Sequence, residues 1–290
     1  MGALASCGSG GGGKVYEGLV ERTPDKPSKA ADEVRGERLA EKAMGLLADA
    51  ESVRIRVEMT SAKGHKEVSV HMDRGSNCTG TFDSGPMQKG ELVVVAGGNA
   101  YFRFSDDSLD AIRDAAAARG PQAAAGVRER VALARGKYMK VSKGSSHAGA
   151  DALTKMCDLE QMLGQLDAGG GSGAGAGSGS GSGSGPGSDS GSDSDSDSGI
   201  SGARVLPDMR WHGQQVTPLA ATDNGHEMTV YVATGDKPYL VGMAQTRGAE
   251  TMEMRMSDYD KPVAAHAPDP SLVLDLDAPG MGGGASLFEV

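Results

Sequence analysis

The residues in this chain best suited to chemistry are its cysteines. Cys7 closes the tetrapeptide Leu4-Ala5-Ser6-Cys7, and a Gly/Ser run from Gly8 to Gly13 follows at once. An apolar residue, two small residues and a Cys form a lipobox. At that motif bacteria cleave an exported chain and attach acyl chains to the sulfur and amine of the new terminal Cys. A secretory signal places a positive region and about 7–15 apolar residues ahead of the cleavage site, whereas Met1, Gly2 and Ala3 precede the motif here. Residues 1–7 are expected to be the remainder of a signal whose start codon lies upstream; the alternative is a chance match. On the first reading Cys7 is lipidated, and the chain is tethered to the outer face of the cell membrane and folds in an oxidising, extracytoplasmic compartment.

Three Cys is an odd count, which in a secreted protein leaves one to explain. Lipidation of Cys7 removes it and leaves Cys78 and Cys157, 79 residues apart. A bridge closing that loop would stabilise the fold by roughly 4 kcal/mol on chain-entropy grounds. Two separate buried thiols, as in reduced cytosolic chains, are the other possibility. In an exported chain the bridge is the expected state.

Other chemistry finds little footing. Gly8 to Lys14 fits the GxxxxGK of a phosphate loop, but Val15 stands where Ser or Thr would bind magnesium, and no strand precedes it. His65, His71, His147, His212, His226 and His266 are scattered without metal-ligand spacing. There is no GxSxG, no HExxH and no Cys/His pair in a credible setting. His71 falls between the apolar positions of its strand and is expected to be solvated. Asn77-Cys78-Thr79 matches a glycosylation sequon, but a bridge is the better use of Cys78. No catalytic residue, metal or cofactor is expected, and an envelope hydrolase is disfavoured.

Composition sets the frame. The net charge of −10 argues against nucleic acid as a partner. Residues 8–29 are rich in Gly, Pro and charge and read as a flexible tether with a reach on the order of 25 Å. Ala168 to Gly202 is almost wholly Gly, Ser, Ala and Asp, cannot bury apolar surface, and is expected to be disordered. Asp189, Asp193, Asp195 and Asp197 in that run lack the spaced ligands and turn Gly of a calcium loop. No stretch approaches the 18 or more apolar residues of a membrane-spanning helix. The expected organisation is one domain in two parts, 30–167 and 203–278, around the 168–202 insertion, with a flexible tail at 279–290.

Leu39, Ala43, Leu46, Leu47 and Ala50 share one face of a helix, with Glu37, Arg38, Glu41 and Lys42 opposite. Strict alternation then takes over. Val53, Ile55, Val57 and Met59 share one side of a strand; after a turn at Lys63-Gly64-His65, Val68, Val70 and Met72 repeat the pattern as a hairpin. A strand around Asn77 to Asp83 carries Cys78. A second hairpin runs from Leu92 to Ala96 and Tyr101 to Phe104. Ser108 is expected to cap a helix from Leu109 to Ala118, and Gly120-Pro121 opens another through Ala134. A strand from Lys137 to Val141 and a helix from Ala152 to Leu166 follow. Beyond the insertion come strands at Val205 to Trp211, Gln214 to Thr222 and Met228 to Val232. Tyr239, Val241 and Met243 lie on one side of the next, and Met252, Met254 and Met256 on one side of the last. The stretch from Ser271 to Ala278 shows no pattern.

A sheet with one apolar face needs a cover, and the amphipathic helices supply it. That face is rich in Met and poor in aromatics, so a concave sheet could hold an acyl chain there; ordinary core under a helix is the alternative. The order of pieces carries a resemblance. The stretches are Asn77-Cys78-Thr79-Gly80-Thr81, Tyr101-Phe102, Gly136-Lys137-Tyr138-Met139-Lys140-Val141, Cys157-Asp158-Leu159, Val230-Tyr231-Val232-Ala233-Thr234 with Pro238-Tyr239, and Ser257-Asp258-Tyr259-Asp260. Together, across Ala30 to Ala278 apart from the insertion, they resemble actinobacterial lipoproteins of the LppX/LprG type.

The resemblance implies an α+β fold of the LolA kind: a curved antiparallel half-barrel sheet with helices covering its concave face and enclosing an apolar cavity. It implies a lipoprotein that binds or carries lipid or glycolipid acyl chains, and it supports Cys7 as the acylated residue and Cys78–Cys157 as a bridge. The cavity residues it implies are Ile55, Val57, Met59, Val68, Val70, Met72, Phe102, Phe104, Val230, Val232, Met252, Met254 and Met256. The membrane, through Cys7, and a lipid are the expected partners of a monomer. An envelope interaction or sensor lipoprotein with a packed core is the alternative.

Overall fold

The computed structural model describes residues 29–142, 157–167, 200, 202–223 and 226–278. Cys7, the 8–28 stretch of the tether, His147, Ala152 to Met156, most of the 168–202 insertion and the 279–290 tail lie outside the described residues.

The fold is α+β: one open, mostly antiparallel sheet with its helices on one face. Helix α1 (Ala31–Ala48) carries Asp32 and Glu33 in its first turn, where they meet the positive end of the helix dipole, and buries Gly36, Ala40, Ala43 and Leu47. Gly36 has a steric reason to be glycine: a Cβ there would collide with the Ala203 carbonyl oxygen. Strands β1 (Ser52–Ser61), β2 (Gly64–Asp73), β3 (Cys78–Asp83), β4 (Lys89–Val95) and β5 (Asn99–Phe104) form a meander. Helices α2 (Asp106–Ala118) and α3 (Pro121–Ala134) precede β6 (Tyr138–Ser142), and α4 (Leu159–Asp167) follows it. Then come β7 (Arg204–Val205), β8 (Met209–Trp211), β9 (Gln214–Asp223), β10 (His226–Ala233), β11 (Leu240–Arg247), β12 (Glu250–Ser257) and β13 (Val273–Asp275).

The order across the sheet is β13-β6-β5-β4-β3-β2-β1-β12-β11-β10-β9-β7, with β8 paired to β9. All the described pairings are antiparallel except β13 with β6. The second half of the chain thus closes onto the first through β12 against β1, seven residue pairs from Arg54↔Ser257 to Thr60↔Thr251. Helix α1 lies against β7, β10 and β11, and α2 against α3 and β4. Ala43 and Leu47 of α1, Leu109 and Ile112 of α2, Val131 of α3 and Leu159 of α4 join one core cluster with Val53, Ile55 and Val70 of the sheet. This shared face is the inner face.

Four features depart from the sequence reading. The α2 cap is Ser105, not Ser108: Ser105 Oγ accepts from the Ser108 amide at 3.2 Å, and Asp106 and Asp107 then fall in the first turn. Ser108 is buried, its Oγ accepting from the Lys89 amide at 3.0 Å. The strand expected over Val205 to Trp211 is two short ones, because Pro207 between them has no N–H to give a ladder. In β11 the pairing with β10 shifts between Tyr231 and Val232. Leu240 and Met243 therefore face inward, and Val241 does not share their alternation. The unpatterned stretch from Ser271 contains β13, which pairs Val273 with Tyr138 and Asp275 with Lys140.

Candidate functional site

The ladder registers set the inner face residue by residue. Ile55 pairs with Val70 on one side and Met256 on the other; Val57 pairs with Val68 and Met254. Met59 pairs with Met252, and Met254 with Met243, which in turn pairs with Val230. On the other wing Cys78, Gly80 and Phe82 continue the same face through Leu92 and Val94 to Ala100, Phe102 and Phe104. One face thus runs unbroken across the sheet.

That face divides into a closed and an open part. Ile55, Val70, Met72, Phe102, Phe104, Val230, Val232 and Met256 are buried in the core. Val57, Met59, Val68, Met252 and Met254, from the same expected set, are half-buried, and Met228 and Met243 join them. The alternation gave the shared face; Met243 stood in the strand pattern but was not carried into the expected site. Gln245 was missed altogether. It is buried between Met228 and Met252, and its polar character hid an inward position.

The closed part is held by a disulfide. Cys78 and Cys157 are bonded, with Cα atoms 5.5 Å apart and both residues fully buried. The bond anchors the chain entering α4 to β3 on the inner face. Leu159 is buried beside it, Met162 and Leu163 pack against the core, and Glu160 pairs with Arg74 at 3.6 Å.

The opposite face is ionic. Arg255 pairs with Glu58 across β12 and β1, and Arg56 with Glu67 at 2.8 Å across β1 and β2. Partial burial would raise the Glu58 carboxyl, but Arg255 and Arg56 overcome it and hold it below the usual carboxylate range. Arg103 grips Glu91 and lies over the Tyr138 ring, whose hydroxyl donates to Glu91 at 2.9 Å. A groove of about 860 Å³ runs here, lined by Thr79, Thr81, Arg54, Glu67, Glu91 and Arg103, among others. Of the expected lipid-site residues, Phe104 lines it. Its arginines and glutamates are already paired with one another or with neighbours, which leaves little unmet demand for a charged ligand.

His71 lies on this face but is not solvated: it is only 5% exposed. The cause is non-local. The chain leaving β12 folds back over it, with the Asp260 amide donating to Ser52 O at 3.0 Å and Ser52 Oγ donating to Lys261 O at 2.5 Å. Arg54 Nη2 stands 3.4 Å from His71 Nδ1 and its Nε donates to Asp258 at 2.7 Å. Burial, then Arg54, push the His71 pKa below its usual value. Hydrogen bonds from Lys261 and Arg54 bring Asp258 down to about 2.

Trp211 covers the outer surface of β10 and β11. It pairs with Gln214 across a two-residue turn of His212 (φ 46°) and Gly213 (φ 83°), both left-handed. Its ring stacks on Tyr231 with centroids 4.3 Å apart, over Gly242, where a Cβ would overlap the indole.

Among the described residues no cluster of three or more His, Cys, Asp or Glu is placed to hold a metal, and no helix is long and apolar enough to cross a membrane. No family model and no curated protein matches the chain. Solved structures similar to it include LprF from Mycobacterium bovis, at 10% identity over 82% of this chain and 97% of that one, TM-score 0.45. Lipoprotein LppX from Mycobacterium tuberculosis is similar at 12% identity over 80% and 99%, TM-score 0.42. A LolA superfamily protein from Nitrosomonas europaea is similar at 8% identity over 82% and 96%, TM-score 0.24. Shared architecture carries no activity across by itself.

Proposed function

We propose that this protein is a non-enzymatic extracytoplasmic lipoprotein that holds acyl chains of a lipid or glycolipid against the open part of its inner face. The observation that carries the reading is the half-buried run of Met59, Met252, Met254, Met243 and Met228, continuous in register with a closed core. Apolar surface left half in water beside a filled core gains roughly 0.8 kcal/mol for each ligand CH₂ it takes from solvent. Met side chains adapt to a variable occupant. The Cys78–Cys157 bridge fits an oxidising compartment, and acylated Cys7 would keep the domain at the membrane.

The filled part of the face, with Met72 at 1% and Ile55 at 3% exposure, favours a second reading in which the Met run docks a protein partner. One experiment separates the two. The full chain carrying Cys7→Ala, produced in exported and oxidised form, is examined by native mass spectrometry with lipid extraction. Bound lipid is then non-covalent, and a reproducible lipid adduct that Met254→Glu abolishes is the expected result. A bare protein mass, unchanged after incubation with membrane extract, overturns the lipid reading and leaves the docking one.

A further inference from the structure

Gln245 is a polar residue in a row that is otherwise apolar from Ala221 to Met59, with Lys66 beyond it on β2. By register it faces inward between Met252 of β12 and Met228 of β10, with Met59 of β1 next along. It is 7% exposed, and its Nε2 is buried with no hydrogen-bond partner. An unmet donor in such a place leaves the desolvation of the amide uncompensated. Leu or Met would fill the position without that cost. Buried polar side chains in native folds overwhelmingly find a partner, so a lone one calls for an explanation.

We propose that Gln245 is the polar contact of the lipid site, donating to the carbonyl oxygen of an acyl ester or amide whose chain lies along the Met run. This rests on the acyl-binding reading and narrows it: the ligand is an acylated lipid rather than a bare hydrocarbon or an alkyl ether. By register the amide is flanked on its two neighbouring strands by Met228 and Met252. Met228 and Met252 are unbranched and can part at little strain, whereas β-branched residues would hold one rotamer. The position suits a carbonyl at the head of a chain. On β11, Gln245 lies toward the open part of the face, while Met243 and Leu240 lead from it into the core. A chain entering past Gln245 would thus pass from the polar contact onto apolar surface.

The test compares two lipids of equal chain length on the full chain carrying Cys7→Ala. These are dipalmitoylglycerol, with ester carbonyls, and dihexadecylglycerol, its ether counterpart without them. Binding is read by native mass spectrometry in direct competition. The expected result is a preference for the ester of about 2- to 10-fold, the range of one neutral hydrogen bond. Gln245→Met is expected to abolish the preference while keeping ether binding, and to raise the urea midpoint of the ligand-free protein. Equal affinity for the two lipids on the parent chain overturns the proposal without needing any variant to fold, and so does a preference that survives in Gln245→Met. Binding of neither lipid overturns the acyl-binding reading itself, a distinct outcome.

Discussion

Loss of the Cys78–Cys157 bridge is the perturbation whose size follows most directly from the structure. The bond closes a loop of 79 residues. Chain entropy assigns a loop of that length about 4.5 kcal/mol of stabilisation at room temperature, acting on the unfolded state. The loop takes in β4, β5, α2, α3 and β6, so most of one wing of the sheet lies within it. Helix α4 begins two residues beyond the bond. Its remaining described anchors are buried Leu159, the partly buried Met162 and Leu163, and one ion pair between Glu160 and Arg74 with the glutamate 74% exposed. Such an exposed pair adds at most about 1 kcal/mol. The chain carrying Cys7→Ala, Cys78→Ala and Cys157→Ala, unfolded in urea and followed by circular dichroism, is therefore expected to lose about 4.5 kcal/mol relative to Cys7→Ala alone. Amide exchange in α4 should rise before the global transition. A loss below about 1 kcal/mol, or an α4 as protected as in the bridged protein, would refute the argument that the bridge rather than packing holds this helix down.

Two further outcomes follow from the outer face. Gly242→Ala puts a methyl where the Trp211 indole lies, and the chain has a single Trp, so its emission should shift to the red as the ring leaves Tyr231; an unshifted spectrum would show that the stacking is not what holds the ring. Stability should fall in two acid steps. His71 has a pKa below the usual 6.5, so its contribution is complete above 6.5 and is lost as the pH falls from there through the lower folded-state pKa, because over that interval the unfolded chain binds the extra proton. Asp258, lowered from 3.8 to about 2, contributes above 3.8 and loses that contribution as the pH falls toward 2. Urea midpoints measured across this range should lose the upper step in His71→Gln and show a smaller lower step in Asp258→Asn, where Glu58 still contributes; an upper step that persists in His71→Gln, or a lower step undiminished in Asp258→Asn, refutes the assignment.

What the sequence disclosed was what its local period encodes. Val53, Ile55, Val57 and Met59 alternate strictly; Ile55 and Val57 pair with expected neighbours on both β2 and β12, Val53 with Met72 of β2, and Met59 with Met252 of β12 but with Lys66 of β2. What it hid depends on distant partners. Strand β13 is three residues long and exists because β6 lies beside it, with Lys140 joined to Asp275 at 2.9 Å. His71 has the spacing of an outward residue, yet the chain at Lys261, far along the sequence, buries it. The choice of Ser105 over Ser108 as cap rests on where β5 ends, since either residue type serves. Alternation likewise showed that Ile55 and Met254 share a face. It could not show that one is buried and the other half in water, because coverage is set by helices and not by the strand.

The boundary between the closed and open parts is nevertheless written in side-chain type along several strands. On β1 the inward order from closed to open is Val53, Ile55, Val57, Met59; on β10 it is Val232, Val230, Met228; on β11 it is Leu240, then Met243. Branched residues at the closed end have few rotamers and hold a fixed shape in the core cluster they share with the helices. Met at the open end has three rotatable bonds, so under the proposed acyl-binding reading it would cover its neighbours without a ligand and part to admit one. Strand β2 reverses the order, with Met72 closed and Val68 half-buried, and β12 is Met throughout. So the gradient is clearest on β1, β10 and β11, and in the paired rows Gln245 sits among Met59, Met252 and Met228. A row built only to seal the end of a core would gain from branched or aromatic side chains there and would lose by keeping an unpaired amide. On the acyl-binding reading proposed above, the co-location of flexible apolar side chains with one unsatisfied donor is expected of a surface that takes up an amphiphile and not of the frayed edge of a core.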